Sequence, residues 1–173
     1  RQKEYIKLGQ DIDTTSYNEG IGLLKRDELT FNDTSYSCTL DLNGKTLALV
    51  SNDTNISQGI HIGGSHLTIK DTSSTKTGKI SGAFSNVFGG QDAKLIRLDG
   101  GKLTLEGGTF TVTSHPYKTN AIVIDSVQGF VTIKKDVKIS QPEFNELGSR
   151  SNLDGSGYTL KAENSSYGGG RVI

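Results

Sequence analysis

Three residues whose side chains suit ligand binding occupy the same place in a repeated pattern. Asp41, His61 and Arg97 are each the middle residue of a triplet flanked by apolar residues, and Val123 is the middle residue of a fourth. A carboxylate, an imidazole and a guanidinium in one row would bind a sugar or a carboxylate ligand. Rows of opposite charge are also ordinary on β sheets, so the alternative is a surface charge ladder. We predict that Asp41, His61 and Arg97 bind ligand.

The turns that follow the triplets centred on Arg97 and Val123 contain acidic residues, Asp99 and Asp125. Carboxylates in neighbouring turns can share a calcium ion, which binds oxygen ligands. Aspartate is also a frequent turn residue, because its side chain accepts hydrogen bonds from nearby backbone amides. The sequence leaves calcium binding and a structural turn both open at this place, and we predict no metal ligand and no cofactor.

Two aromatic residues lie in insertions between the repeated segments. Phe88 belongs to the insertion at 83–93 and Tyr117 to the one at 114–120. An exposed ring at such a site stacks on a sugar or anchors a protein partner, whereas a ring that packs inward only covers an edge of the core. We expect the two insertions to lie close together, and we predict that Phe88 and Tyr117 bind ligand.

The elements that must position these residues are short strands in a repeated order. Four segments contain two apolar–polar–apolar triplets, separated by four turn residues in three segments and by a longer turn in the fourth. Alternation places the outer residues of each triplet inward and the middle residue outward. The triplet pairs begin at Leu40 and Leu47, Ile60 and Leu67, Ile96 and Leu103, and Ile122 and Val131.

A third strand follows the second triplet at Lys79, at Thr109 and at Asp136. Three short strands per copy cannot form a sheet alone, but stacked copies bury one continuous core. The pattern predicts an all-β fold, a right-handed parallel β-helix (a solenoid) with an N-terminal cap. A β-sandwich and a jelly roll are the alternatives, although both require hairpin connections. We expect one domain, with a cap and first rung at 1–37, repeated coils at 38–139, and a loop and final rung at 140–173.

Composition supports this fold class and narrows the partners. The 173 residues include 22 glycines and two prolines, which indicates many turns between short strands. The 19 basic and 19 acidic residues are evenly spread, so we expect neither nucleic-acid binding nor membrane insertion. The single cysteine, Cys38, has no partner for an internal disulfide and is expected to be buried. The first residues lack the apolar segment of a signal peptide, as expected of a mature chain or an excised domain.

The segments from Cys38 to Leu47, from His66 to Asp71 and from Gly78 to Gly82 resemble pectate-lyase-like β-helix modules. The resemblance covers roughly residues 5–139 and concerns coils and corners. It implies a secreted or cell-wall-attached bacterial protein with several domains. Lyases of this architecture pair an acidic calcium site with an Arg or Lys base, and glycosidases need two carboxylates in one cleft. Neither set is recognisable here, so we predict no catalytic residue.

These observations favour a non-catalytic, adhesin-like binding domain that recognises a host or environmental glycan, or a host protein. The first alternative is a fragment of a carbohydrate-active enzyme, a polysaccharide lyase or a glycoside hydrolase. Its groove would pass Asp41, His61, Arg97, Asp99 and Asp125. The second alternative is a rigid structural spacer.

Overall fold

The computed structural model describes residues 2–14, 29–31, 36–51, 58–84, 93–114, 121–134, 137–140 and 144–154. These residues form fourteen strands and confirm the all-β class. The strands are β1 (Gln2–Lys7), β2 (Ile12–Asp13), β3 (Leu29–Phe31), β4 (Tyr36–Asp41), β5 (Thr46–Ser51), β6 (Gln58–Ile62), β7 (His66–Lys70), β8 (Lys79–Phe84), β9 (Ala93–Leu98), β10 (Lys102–Leu105), β11 (Gly108–Ser114), β12 (Ala121–Ile133), β13 (Val137–Ser140) and β14 (Phe144–Asp154).

The strands stack in three parallel columns, because from β1 to β9 each strand pairs with the strand three places later. The first column contains β1, β4, β7, β10 and the end of β12, and the second contains β2, β5, β8, β11 and β13. The third contains β3, β6, β9 and the start of β12. β12 therefore passes from the third column into the first, and β14 pairs along it. Every pairing is parallel, which no hairpin-built sandwich would give.

Alternation along these strands builds the core between the columns. The predicted inward residues of the triplets are all buried wherever their side chains are described, and Ile60, Ile69 and Leu103 are fully enclosed. Phe110 from the second column joins the same core. Cys38 is buried, as predicted. The side chain of Ile122 lies outside the described residues.

The predicted alignment of the copies is wrong at two places. Leu40 pairs with Ile69 in the first column, so the first copy is displaced by one strand from the others. The reason is that the four-residue turn occurs at two different corners of a coil, and its length does not distinguish them. In the fourth copy, Ile124 pairs with Ile96, and Val123 is buried instead of outward. Four consecutive residues, 123–126, are buried in this rung, which breaks the strict alternation assumed for it.

Within residues 1–37, where a cap and first rung were expected, β1 pairs in parallel with β4 and β2 with β5. The third strands predicted at Lys79 and Thr109 are confirmed as β8 and β11. The one predicted at Asp136 corresponds to β13, which begins at Val137, and Asp136 itself lies outside the described residues; β5 stacks in the same column. The predicted cap residues at 14–27 lie almost entirely outside the described residues, and the predicted final rung at 158–162 lies wholly outside them.

A buried carboxylate closes the corner between the first and second columns. Asp71 accepts hydrogen bonds from the backbone amides of Gly44 (2.9 Å), Ser73 (3.0 Å) and Gly78 (2.6 Å). Burial alone would raise the pKa of Asp71, but these bonds and the Ser73 hydroxyl outweigh burial and lower it. Three stretches of backbone from two coils are therefore joined through one side chain.

The inward and outward faces of β7 can be tested by one pair of variants. Ile69 is 0% exposed, whereas the adjacent Thr68 points outward and is partly exposed. Ile69→Ala should lower the free energy of unfolding by about 2–5 kcal/mol, because it leaves a cavity between coils. Thr68→Ala should change it by about 0.5 kcal/mol or less. Urea denaturation measures both, and equal losses would contradict the assigned faces.

Candidate functional site

Two of the predicted binding residues meet on the outward face of the third column. His61 and Arg97 occupy adjacent rungs, and the register places Asp125 in the next rung. The predicted row is therefore right for His61 and Arg97, but Asp125 stands where Val123 was expected. Asp41 belongs to the first column, in register with Lys70, and lies outside this row.

Basic and acidic side chains contact one another around Arg97. We term this group the ionic cluster, and it consists of His61, Lys94, Arg97, Asp99 and Asp125. The Arg97 guanidinium donates to both oxygens of Asp99 at 3.0–3.1 Å and to Asp125 Oδ2 at 3.2 Å. His61 Nε2 lies 2.9 Å from Asp99 Oδ2, and Lys94 Nζ lies 3.3 Å from Asp125 Oδ2. The guanidinium is thus already shared by two carboxylates.

The two carboxylates proposed to share calcium are bridged by a cation instead. Arg97 contacts both Asp99 and Asp125, and the hydrogen bond from Arg97 is the main cause of the lowered pKa of Asp99. Within the described residues, no group of three His, Cys, Asp or Glu side chains has the arrangement of a metal site. The ionic cluster is chemically a charge ladder that also holds an imidazole against a carboxylate.

Asp41 is buried and does not point into solvent, so the expectation of an outward Asp41 is wrong. Its carboxylate accepts hydrogen bonds from the amide of Asn43 (3.0 Å) and from the amide and hydroxyl of Thr72 (3.0 and 2.6 Å). The Tyr5 hydroxyl donates to it as well. Burial would raise the pKa of Asp41, but these donors together lower it to about 2.

The first column presents a row of identical side chains to solvent. The register aligns Thr39, Thr68, Thr104 and Thr132 on four consecutive rungs, with Tyr5 on the rung before them. Adjacent rungs of a sheet lie about 4.8 Å apart, so the row repeats at that interval. Ala48, the middle residue of the triplet that begins at Leu47, is not part of this row, because it pairs with Ser81 in the second column.

Two further rows flank the threonines, and we call the three rows together the threonine face. Each flanking row is offset by two residues along the strands, so alternation places it on the same face of the sheet, although Asp41 in one of these rows is buried among its hydrogen-bond donors. One row contains Ser37, His66, Lys102 and Phe130, and the other contains Lys7, Asp41, Lys70, Glu106 and Lys134. His66 Nε2 lies 3.0 Å from the Thr104 hydroxyl.

Exposed aromatic rings stand near opposite ends of the threonine face. Tyr5 is 55% exposed and Phe130 is 53% exposed. Lys70 Nζ lies 4.8 Å from the centre of the Tyr5 ring, and Lys102 Nζ lies 5.7 Å from that of Phe130. Because its hydroxyl is bound to Asp41, the Tyr5 ring is held in place, with Lys70 Nζ over it and more than half of the side chain exposed.

No protein-family model, curated protein or solved structure matches this chain. The described geometry must therefore support any functional assignment. None of the described residues belongs to a helix that is long and apolar enough to span a membrane.

Sequence reasoning missed both exposed rings. The alternation could have identified Tyr5 as an outward residue of the first rung, and Phe130 stands two residues before the outward Thr132. The predicted binding residues Phe88 and Tyr117 lie outside the described residues, so their role stays a prediction.

Acid unfolding should show the contribution of Asp41. Its folded pKa is below the unfolded value of 3.8, so its stabilisation is present above that value and is lost as the pH falls through about 2. This group should account for about 2 kcal/mol of lost unfolding free energy between about pH 5 and pH 2. Asp41→Asn should be less stable near neutral pH and lose less on acidification. Groups such as Asp71 and Asp99 account for the acid dependence that remains in the variant. If denaturant titrations show the same loss of unfolding free energy on acidification in Asp41→Asn as in the wild type, the assignment is contradicted.

The pKa of Asp99 should respond to its two neighbours in a fixed order. Arg97→Ala removes the largest favourable contact with the carboxylate, so the pKa of Asp99 should rise towards its ordinary value. His61→Ala removes a smaller contribution and should raise it less. Carboxyl carbon NMR titration measures both shifts, and a larger effect of His61→Ala would show that the ionic cluster is organised differently.

Proposed function

We propose that this chain is a non-catalytic, adhesin-like binding module of a secreted or cell-wall-attached bacterial protein, and that it recognises a host or environmental glycan through the threonine face. The observation behind this proposal is the pair of exposed rings, Tyr5 and Phe130, on one face together with a row of hydroxyl groups. Aromatic rings stack on the apolar faces of sugars, and hydroxyl and amine groups bond to their polar edges.

We further propose that the columns wind as a right-handed parallel β-helix of the pectate-lyase-like type, within a larger multidomain chain. The support is that, from β1 to β9, each strand pairs with the strand three places later in the chain, so one full coil would separate paired strands. Crossover connections between parallel strands are right-handed in the great majority of proteins. The sequence segments that resemble pectate-lyase-like modules cover β7, most of β8, and the corner between β4 and β5.

A carbohydrate-active enzyme is the second candidate, because the ionic cluster pairs an imidazole with a carboxylate. His61 Nε2 lies 2.9 Å from Asp99 Oδ2, and Asp99 is held ionised by Arg97. A histidine oriented in this way acts as a general base in many enzymes. If this candidate is right, polysaccharide cleavage should be detectable and His61→Ala should abolish it.

Binding of the wild-type chain to an immobilised glycan panel, followed by calorimetry on the best soluble ligand, tests the proposed function. Tyr5→Ala and Phe130→Ala should each weaken binding by about tenfold, which corresponds to about 1.4 kcal/mol. The melting temperature of Phe130→Ala should change little, because this ring is more than half exposed. Tyr5→Ala also removes a hydrogen bond to the buried Asp41 and should lower the melting temperature, so its binding is measured well below that temperature.

The matched control is Lys138→Ala, an exposed position in the second column. It should bind as the wild type does. If both ring variants bind glycan with unchanged affinity, the threonine face is not the glycan-binding site. If no glycan on the panel is bound, the proposed glycan-binding function is contradicted.

A further inference from the structure

The charged groups of the threonine face are unevenly accessible. Among the side chains that the structure describes on this face, the carboxylates are Asp41, which is 0% exposed and surrounded by hydrogen-bond donors, and Glu106, which pairs with Lys134 Nζ at 2.6 Å. Lys7 and Lys102, by contrast, are exposed, and Lys70 lies over the Tyr5 ring. A ligand that approaches this face therefore meets ammonium groups first, although the whole chain has no net charge.

The cations on this face are of one kind. Within the described part of the threonine face the permanent cations are lysines, whereas Arg97 lies in the third column and binds two carboxylates. An arginine fork matches a planar carboxylate with two parallel bonds, but a lysine acts as a compact point charge without that directional preference. The lysines of this face thus suit a tetrahedral anionic group with several equivalent oxygens.

The positions of the lysines match those of the rings. Lys70 stands beside Tyr5, and Lys102 stands beside Phe130, so an ammonium group accompanies a stacking surface at both ends of the face. Between them, the threonine hydroxyls repeat at about 4.8 Å. A fully extended, equatorially linked pyranose chain repeats at a similar interval, so successive sugars would meet successive rungs.

We propose that the threonine face binds an extended sulfated polysaccharide that lies across the strands, along the threonine row. Pyranose rings contact Tyr5 and Phe130 at the two ends, and sulfate groups contact Lys70 and Lys102. This inference rests on the proposed glycan-binding function and adds the class of ligand and its direction on the face.

Three soluble polymers with one backbone test the ligand class: cellulose sulfate, carboxymethyl cellulose and hydroxyethyl cellulose. Calorimetry at low salt should give the highest affinity for the sulfate, and salt should weaken that binding by screening. The double variant Lys70→Ala/Lys102→Ala should lower the affinity for cellulose sulfate by about tenfold, or about threefold for each lysine. The matched double variant Lys79→Ala/Lys138→Ala removes the same charge from the second column and should bind normally.

The outcomes separate this inference from the proposed function. Equal binding of carboxymethyl cellulose would overturn the preference for sulfate, and equal binding of the neutral polymer would overturn the role of charge, while glycan binding itself would stand. Equal binding of double-stranded DNA would show a non-specific attraction of polyanions and overturn the inference. If none of these polymers and no member of the glycan panel binds, both this inference and the proposed glycan-binding function are wrong.

The direction of the ligand has its own test. Thr68→Val and Thr104→Val keep the shape of the side chain but remove the hydroxyl group in the middle of the row. Each should weaken binding of cellulose sulfate by about threefold. The melting temperature should stay unchanged in Thr68→Val and fall slightly in Thr104→Val, which also loses the hydrogen bond to His66. Full affinity in the double variant Thr68→Val/Thr104→Val would overturn the placement of the polymer along the row.

Discussion

Backbone hydrogen bonding between one coil and the next determines where each outward side chain of this protein stands. Because the strands are parallel and in register over four rungs of the first column, residues at equivalent positions form straight rows at the rung spacing. Thr39, Thr68 and Thr104 are neighbours for this reason alone, although about thirty residues separate each from the next in the chain. The same constraint places Arg97 between His61 and Asp125 on adjacent rungs, so both surfaces considered above depend on register.

Register must itself be fixed at the corners, and buried carboxylates do this between the first and second columns. Asp41 and Asp71 belong to adjacent rungs. The carboxylate of each accepts hydrogen bonds from backbone amides in the turns at this corner. An unsatisfied amide at such a corner would cost about 1–3 kcal/mol, so the hydrogen bonds offset the cost of burying charge. Asp41 also binds the Tyr5 hydroxyl, and a structural corner thereby fixes the position of a surface ring.

The sequence predicted the all-β class, the parallel arrangement, the third strands and the inward residues, because alternation and turn spacing are local properties. It did not predict the alignment of copies, since the turns after Leu42 and after Ile62 have the same length but stand at different corners. Because of that single ambiguity, the sequence pattern placed Asp41 wrongly in the row of His61 and put Ala48 in the position that Thr39 occupies in the threonine row. The carboxylate contacts of Asp41 could not be predicted, because Thr72 approaches it only through the stacking of coils.

The three columns offer different surfaces, and this difference favours the first column as the binding site. In the third column, the ionic cluster satisfies its own charges, so a ligand carboxylate would have to displace Asp99 or Asp125 from Arg97. In the second column, small residues such as Ala48, Ser81 and Thr111 form the outward row, and none of them offers a stacking surface. The first column combines exposed rings, hydroxyl groups and accessible ammonium groups on consecutive rungs. A ligand that itself repeats can engage all of these at once, and its affinity then grows with the number of rungs it covers.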